Sequence, residues 1–186
     1  FDKYQPVMIS SAELEELKKK KKLMAEEEET NEDRYDKELL EVTKELNADF
    51  YLLKSIIKAM SNFKVDYNKD GYIGLMGVKK NWTKDKDIDL EDPKTNIELG
   101  AKKILEYLEE FDYDINLALA AYFLSPKEVH NELENSGDLP RNNKCRKFIM
   151  TVKTTQKVYS EEVVSTIKKQ VSASKDKILL YNVQKK

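Results

Sequence analysis

Between Tyr35 and Ala59 the apolar residues Leu39, Leu40, Val42, Leu46, Phe50, Leu52, Leu53, Ile56 and Ile57 recur every three or four positions. That is the period of a helix burying one stripe. The stripe breaks at Asn47-Ala48-Asp49, so the pattern predicts two helices joined by a short turn. Asp66 to Gly77 carries three of the chain's five glycines and reads as a turn-rich loop, and Trp82 to Pro93 is a polar connection. Asp92-Pro93 has the form of a helix start, because proline is tolerated in the first turn. From Asn96 to Phe111 the residues Ile97, Ala101, Ile104, Leu105 and Leu108 share a face; Ile115 to Phe123 is apolar nearly all round and is expected to be the buried central helix. Beyond Pro126 and the break at Ser136-Gly137, another helical stretch is expected over Asn143 to Val152. A last candidate helix has Ser160 as N-cap, Glu161 and Glu162 in its first turn, and Val163, Val164, Ile167 and Val171 inward. Ile178 to Tyr181 is too short to assign.

The first 33 residues differ in kind. Lys18 to Lys22 precede Glu26 to Glu29, the unfavourable order for a helix dipole, with few apolar residues among them. This segment reads as solvated helix or disorder, and its lysine run is a solvated face or a contact for an anionic envelope surface. The expected organisation is a charged N-terminal segment over 1–33, a helical domain over 34–152 and a C-terminal helical extension over 153–186.

Composition narrows the classes. Lys and Arg total 33 against 35 Asp and Glu, a net charge of -2, which argues against a role on nucleic acid. Five glycines and four prolines in 186 residues fit an all-α protein with few strands. Cys145 is the single cysteine, so no disulfide forms within the chain and no multi-cysteine zinc site exists. His130 is the sole histidine, which excludes a pair of catalytic histidines and a multi-histidine metal site. There is no apolar run of about 18 residues to cross a membrane. The chain opens at Phe1 with no charged-then-apolar leader, and processing of such a leader is left open.

Four ordered stretches carry a further signal. Leu53 to Phe63 is an apolar helix ending in Met60-Ser61-Asn62-Phe63. Gly71-Tyr72-Ile73-Gly74-Leu75-Met76 follows it. Next come Asp92-Pro93-Lys94-Thr95-Asn96-Ile97-Glu98-Leu99-Gly100-Ala101 and Leu117-Ala118-Leu119-Ala120-Ala121-Tyr122, then Leu139-Pro140 and Lys147-Phe148-Ile149. The ordered set, covering most of Tyr35 to Val152, resembles the soluble lytic transglycosylase family, which shares its core with goose-type lysozymes. The resemblance implies an all-α, lysozyme-like transglycosylase domain with extra helical segments at both ends. It also implies an extracytoplasmic, periplasmic setting and peptidoglycan glycan strands as partner, together with a cell-envelope protein assembly. Members cleave between N-acetylmuramic acid and N-acetylglucosamine, one glutamate protonating the leaving oxygen and then taking the proton of the sugar's 6-hydroxyl to leave a 1,6-anhydro product. Such an acid stays protonated because burial at the end of an apolar helix disfavours its anion.

By the resemblance, Met60 occupies that glutamate's position. A thioether neither gives nor takes a proton, and general acid catalysis is worth ~10²–10⁴-fold. Gly77 stands where the family has Gln, Phe123 where it has Asn, and Lys144 where it often has Glu; the loop between Phe63 and Gly74 is about one residue short. The expectation is a domain with no catalytic residue and a groove formed by Met60, Ser61, Phe63, Gly74, Leu75, Met76, Tyr122 and Phe123. Met60 is expected to face Leu75, Met76, Tyr122 and Phe123 across it. One alternative is an active enzyme whose acid has moved to Asp66, Asp70 or Glu98. A second is a calcium-dependent interaction domain, since Asp66, Asn68, Asp70 and Tyr72 fit the opening of an EF-hand loop with Gly71 at its sixth position. Gly77 replaces the bidentate glutamate at position twelve, so an Asp/Asn/Gly turn without metal is the competing reading, and no cofactor is expected. Trp82 and Tyr122 are stacking or core aromatics, and Asn81-Trp82-Thr83 is a glycosylation sequon by pattern alone.

Overall fold

The computed structural model describes residues 32–161 and residue 165. The chain divides into two compact units, 1–36 and 37–186, and the elements below belong to the second, the first helix starting at the boundary. The charged block, the helix expected beyond Ser160 and the Ile178 to Tyr181 stretch fall outside the described residues, except for their few described positions.

Two helices, α1 (Asp36–Leu46) and α2 (Phe50–Ser61), follow the expected stripe. Asp49 ends the turn between them and accepts the Leu52 amide at 3.0 Å, which satisfies one of the amides left free at a helix start. The same device recurs down the chain. Asp92 caps α3 (Pro93–Glu110) through the Thr95 amide at 2.9 Å. Asp114 caps α4 (Ile115–Phe123), and Ser125 caps α5 (Pro126–Ser136) ahead of a first-turn proline. Gly137, at φ 68°, ends α5.

Three strands of two residues each, β1 (Asn68–Lys69), β2 (Tyr72–Ile73) and β3 (Val78–Lys79), form an antiparallel sheet in that order. Asn68 pairs with Ile73 and Lys69 with Tyr72, while Tyr72 and Ile73 pair onward with Lys79 and Val78. Asp70 and Gly71 turn the first hairpin at φ 56° and 83°, the left-handed pair that a tight hairpin needs. A 3₁₀ turn (Lys80–Trp82) leads out of the sheet.

The core sits where the sequence pattern puts it. Leu53, Ile56 and Ile57 of α2, Ile97, Ala101 and Ile104 of α3, and the run Ala118 to Tyr122 of α4 are buried. Helix α4 is enclosed by α3 and α5, which explains why its apolar residues have no polar face opposite them.

Three expectations are corrected. The last described helix, α6, runs unbroken over 143–161, so neither Val152 nor Ser160 marks a break. Ser160 donates its hydroxyl to the Lys157 carbonyl at 2.8 Å instead of capping a new helix. Leu40 is 45% exposed; Thr43 takes the buried place, its hydroxyl satisfied by the Leu40 carbonyl at 3.1 Å. Periodicity cannot separate these two because both lie at the edge of the stripe.

Candidate functional site

The site begins where α2 stops. Asn62 and Phe63 both take left-handed backbone, at φ 50° and 61°, which ends the helix at Ser61 and leaves Met60 in its last turn. Met60 is 8% exposed. Ser61 is buried beside it and donates to the Leu75 carbonyl at 2.7 Å, tying the helix end to the loop between β2 and β3.

That loop is held by Asn96, a fully buried residue in the first turn of α3. Its side-chain oxygen accepts the Met76 amide at 2.8 Å. Its side-chain nitrogen donates to the carbonyls of Ile73 at 2.8 Å and Leu90 at 2.7 Å. Three of the four directions of this buried amide are used, as burial of a polar group requires. Gly74, at φ 73°, lies directly against this amide; a Cβ there would overlap the Asn96 nitrogen and the Leu90 carbonyl. Gly100 has the same function one helical turn later, where a Cβ would come within 2.6 Å of the Met76 Cβ and 2.9 Å of the Tyr122 hydroxyl. Tyr122 donates that hydroxyl to the Met76 carbonyl at 2.9 Å.

Around Met60 the surroundings are apolar and aromatic. A Cβ on Gly77 would overlap the Met60 methyl and sit 3.3 Å from the Tyr72 Cβ, so Met60 fills the space that a side chain at 77 would take. Tyr72 stacks on Phe123 (centroids 6.0 Å apart), Phe123 on Phe148 (5.2 Å) and Tyr122 on Phe148 (6.5 Å); Trp82 meets Tyr122 edge-on at 4.9 Å. Lys79 reaches over this cluster, its ammonium 4.8 Å from the Tyr72 ring and 5.8 Å from the Trp82 ring, within cation–π range. It donates to the Leu124 carbonyl at 2.8 Å, and the Tyr72 hydroxyl donates to the Phe123 carbonyl.

Burial sets the electrostatics. It pushes the Tyr72 phenol up to about 12 and the Tyr122 phenol well above its ordinary value, so both are neutral donors. Lys79 is held below the usual lysine value by desolvation, which the Glu128 carboxylate partly offsets. Cys145 is buried and its thiol rises to about 11, which makes it a packed thiol rather than a nucleophile.

The structure therefore joins the residues singled out from sequence, but as core more than as groove. Met60, Ser61, Leu75, Met76, Tyr122 and Phe123 are contiguous through the bonds above. Leu75, Met76 and Tyr122 have no exposed surface, Ser61, Phe63 and Gly74 are buried, and only Phe123 is partly open. The open groove lined by Leu75, Met76 and Tyr122 is corrected to a packed floor, and Tyr122 supports the loop instead of offering a face for stacking. Lys144 is exposed in the first turn of α6.

The residues of the calcium-like loop are placed differently. Asp66, Asn68 and Asp70 are exposed, with Asn68 in the ladder, while the Tyr72 ring points into the aromatic cluster. The segment folds as a hairpin, and among the described residues no three His, Cys, Asp or Glu side chains are grouped so as to hold a metal ion. Of the alternative acids, Asp66 and Asp70 are on the hairpin surface and Glu98 pairs with Lys102 on α3. Trp82 is half-buried against Tyr122, and His130 bonds Glu110 at 3.0 Å while stacking on Phe111.

Sequence reasoning missed Lys79 entirely. A single lysine in a two-residue strand has no periodicity to betray that it crosses to another element. Asn96 was visible only as a motif position; a polar residue one turn after Asp92, in helical register with Gly100 and next to Ile97, was the available signal.

Comparison with known proteins agrees with this architecture. No curated protein matches the chain. Among solved structures, an inactive mutant of the lytic transglycosylase Slt from Pseudomonas aeruginosa, in which a glutamate is replaced by glutamine, superposes with a TM-score of 0.58 at 22% identity. The match covers 67% of this chain and 24% of that one, so the chain spans about a quarter of that protein's length, and the likeness is one of fold. The profile of the transglycosylase SLT domain matches residues 39–145, more than half of the chain and all of the site built above except Phe148, and this protein belongs to that family.

Proposed function

We propose that the chain is a catalytically impaired lytic transglycosylase-like protein that holds peptidoglycan glycan strands without cutting them, as a structural or recruiting element of the extracytoplasmic cell envelope. One observation carries the reading. Four polar side chains of the site end on backbone carbonyls: Ser61 on Leu75, Tyr72 on Phe123, Lys79 on Leu124 and Tyr122 on Met76. None of these bonds involves a carboxylate. Cleavage of a glycosidic bond needs an acid within about 3 Å of the leaving oxygen. By the resemblance, the residue at the family's glutamate position is Met60, a thioether packed on Gly77.

The solved relative supports the same logic, since replacement of a single glutamate by glutamine is described there as inactivating. Membership of a family whose members act on peptidoglycan supports glycan as the ligand. Binding and cleavage draw on different groups: aromatic faces and backbone amides hold a sugar with no titrating carboxyl. Trp82 and Phe123 are the partly exposed aromatics beside the floor.

The test is incubation of the native chain with purified peptidoglycan, with retention read by pull-down and products read by muropeptide analysis. Retention without 1,6-anhydro products is expected. Release of such products would overturn the impaired reading in favour of an active enzyme with a relocated acid, and loss of retention would leave a scaffold for protein partners.

A further inference from the structure

We infer that Tyr72 and Lys79 form a side-chain strap that shuts the floor against the end of α4, and that a glycan reaches Met60 only when the strap is released. The inference rests on the glycan-binding reading above and names how that same site is regulated.

The strap is built from two adjacent, paired residues. Tyr72 in β2 and Lys79 in β3 are direct partners in the ladder. Their side chains leave the sheet together and end on consecutive carbonyls, Phe123 and Leu124, at the C-terminus of α4. The last carbonyls of a helix lack partners within it, and a cation there also meets the negative end of the helix dipole. Both bonds are therefore satisfied at one place. The span is long in sequence, 51 and 45 residues, so nothing local imposes it.

The position is what makes it a closure. Phe123 is where the family carries Asn and Gly77 where it carries Gln, both by the resemblance. Tyr72 touches the space above Gly77 that the Met60 methyl also fills, and its ring lies on Phe123. With the strap in place Met60 is only 8% exposed, and its methyl and the Tyr72 Cβ share the space beside Gly77. Release needs no backbone change: the lysine has four rotatable bonds, its ammonium is desolvated where it lies, and leaving for water relieves that cost. The hairpin backbone stays pinned meanwhile by Asn96 and by the packing of Ile73 and Val78 on Leu90.

Two readouts on the full chain test this. In the first, peroxide oxidation of methionines is followed by peptide mass spectrometry, with Met150, 64% exposed, as the internal reference. Lys79→Met combined with Tyr72→Phe, which keeps the rings and the bulk, is expected to speed oxidation of Met60 about tenfold relative to Met150, as loss of two bonds of ordinary strength would. Lys79→Arg, which keeps the cation and the donor, is expected to match the native chain. In the second, retention of a soluble chitooligosaccharide is expected to rise by a similar factor in the double variant. Unchanged Met60 oxidation in the folded double variant overturns the strap. Faster oxidation with weaker retention also overturns it, because Lys79 and Tyr72 would then be ligands of the sugar. Faster oxidation with no retention by any variant upholds the closure and removes the glycan-binding reading instead.

Discussion

Two regions meet at the loop between β2 and β3, and by the resemblance drawn from the sequence they stand at different distances from the family pattern. On one side, Asn96, Gly74, Gly100 and Tyr122 keep the family's residues, and each is tied to the loop backbone by a hydrogen bond or a contact that admits no larger group. On the other, Met60, Gly77 and Phe123 depart from it, and the contacts there are between methyl and aromatic groups: the Met60 methyl over Gly77, and Phe123 on the Tyr72 and Phe148 rings. The difference teaches that the motif contains two separable sets. One positions the loop and survives because its loss leaves buried carbonyls and amides unpaired. The other, by the resemblance, holds the positions that serve the family's proton transfer, and none of its side chains hydrogen-bonds the loop. A side chain at 77 would overlap the Met60 methyl, so Met60 and Gly77 fit together as a packed pair.

The comparison predicts unequal consequences. The largest is expected for Asn96→Ala, which strands the Met76 amide and two carbonyls inside the core. A loss of about 4 kcal/mol, read by denaturant unfolding, is expected from ~1–3 kcal/mol per unsatisfied group with partial relaxation. A loss below about 1 kcal/mol would show that the loop is held by packing alone. Next is Met60→Glu, which buries a carboxyl in an apolar floor and is expected to cost about 2–3 kcal/mol at neutral pH. The sign follows from the raised pKa. The folded state prefers the protonated acid, so stability is greatest below the unfolded value of about 4.3 and falls as pH rises toward the folded one. Little cleavage is expected even so, because Phe123 and the strap remain, and misplacement by an ångström costs about 10²-fold. Full activity in this variant would break the claim that the floor has been rebuilt.

A smaller effect is expected for Gly100→Ala. Alanine favours the helix by about 1 kcal/mol, but its Cβ presses on the Met76 side chain and the Tyr122 hydroxyl, and a net loss of about 1–2 kcal/mol is expected in thermal unfolding. Stabilisation would show that the contact relaxes easily. The smallest concerns alkaline pH. Tyr72 ionises at about 12 when folded against 10.0 ordinarily, so its contribution is complete below pH 10.0 and is lost as pH rises from there toward 12. Tyr72→Phe is expected to flatten one share of that decline, with Tyr107, also raised to about 12, supplying another. An unchanged alkaline slope would place Tyr72 outside the folded state's proton balance.

Much of this molecule was legible in the order of its residues. Helix starts at Asp49 and Asp92, the enclosed run Ile115 to Phe123 and the ordered motifs follow from local preferences, and local preferences act within a few residues. The absence of a carboxyl at position 60 is likewise a property of the sequence, given the family. Tertiary structure decided what the floor is made of. That Met60 fills the space over Gly77, that Tyr122 is sealed in the core and that Lys79 crosses to Leu124 all depend on contacts between residues 17 to 46 positions apart. No periodicity encodes such contacts, because burial and hydrogen-bond satisfaction are settled only when the elements pack and each polar group takes the partner that lies nearest.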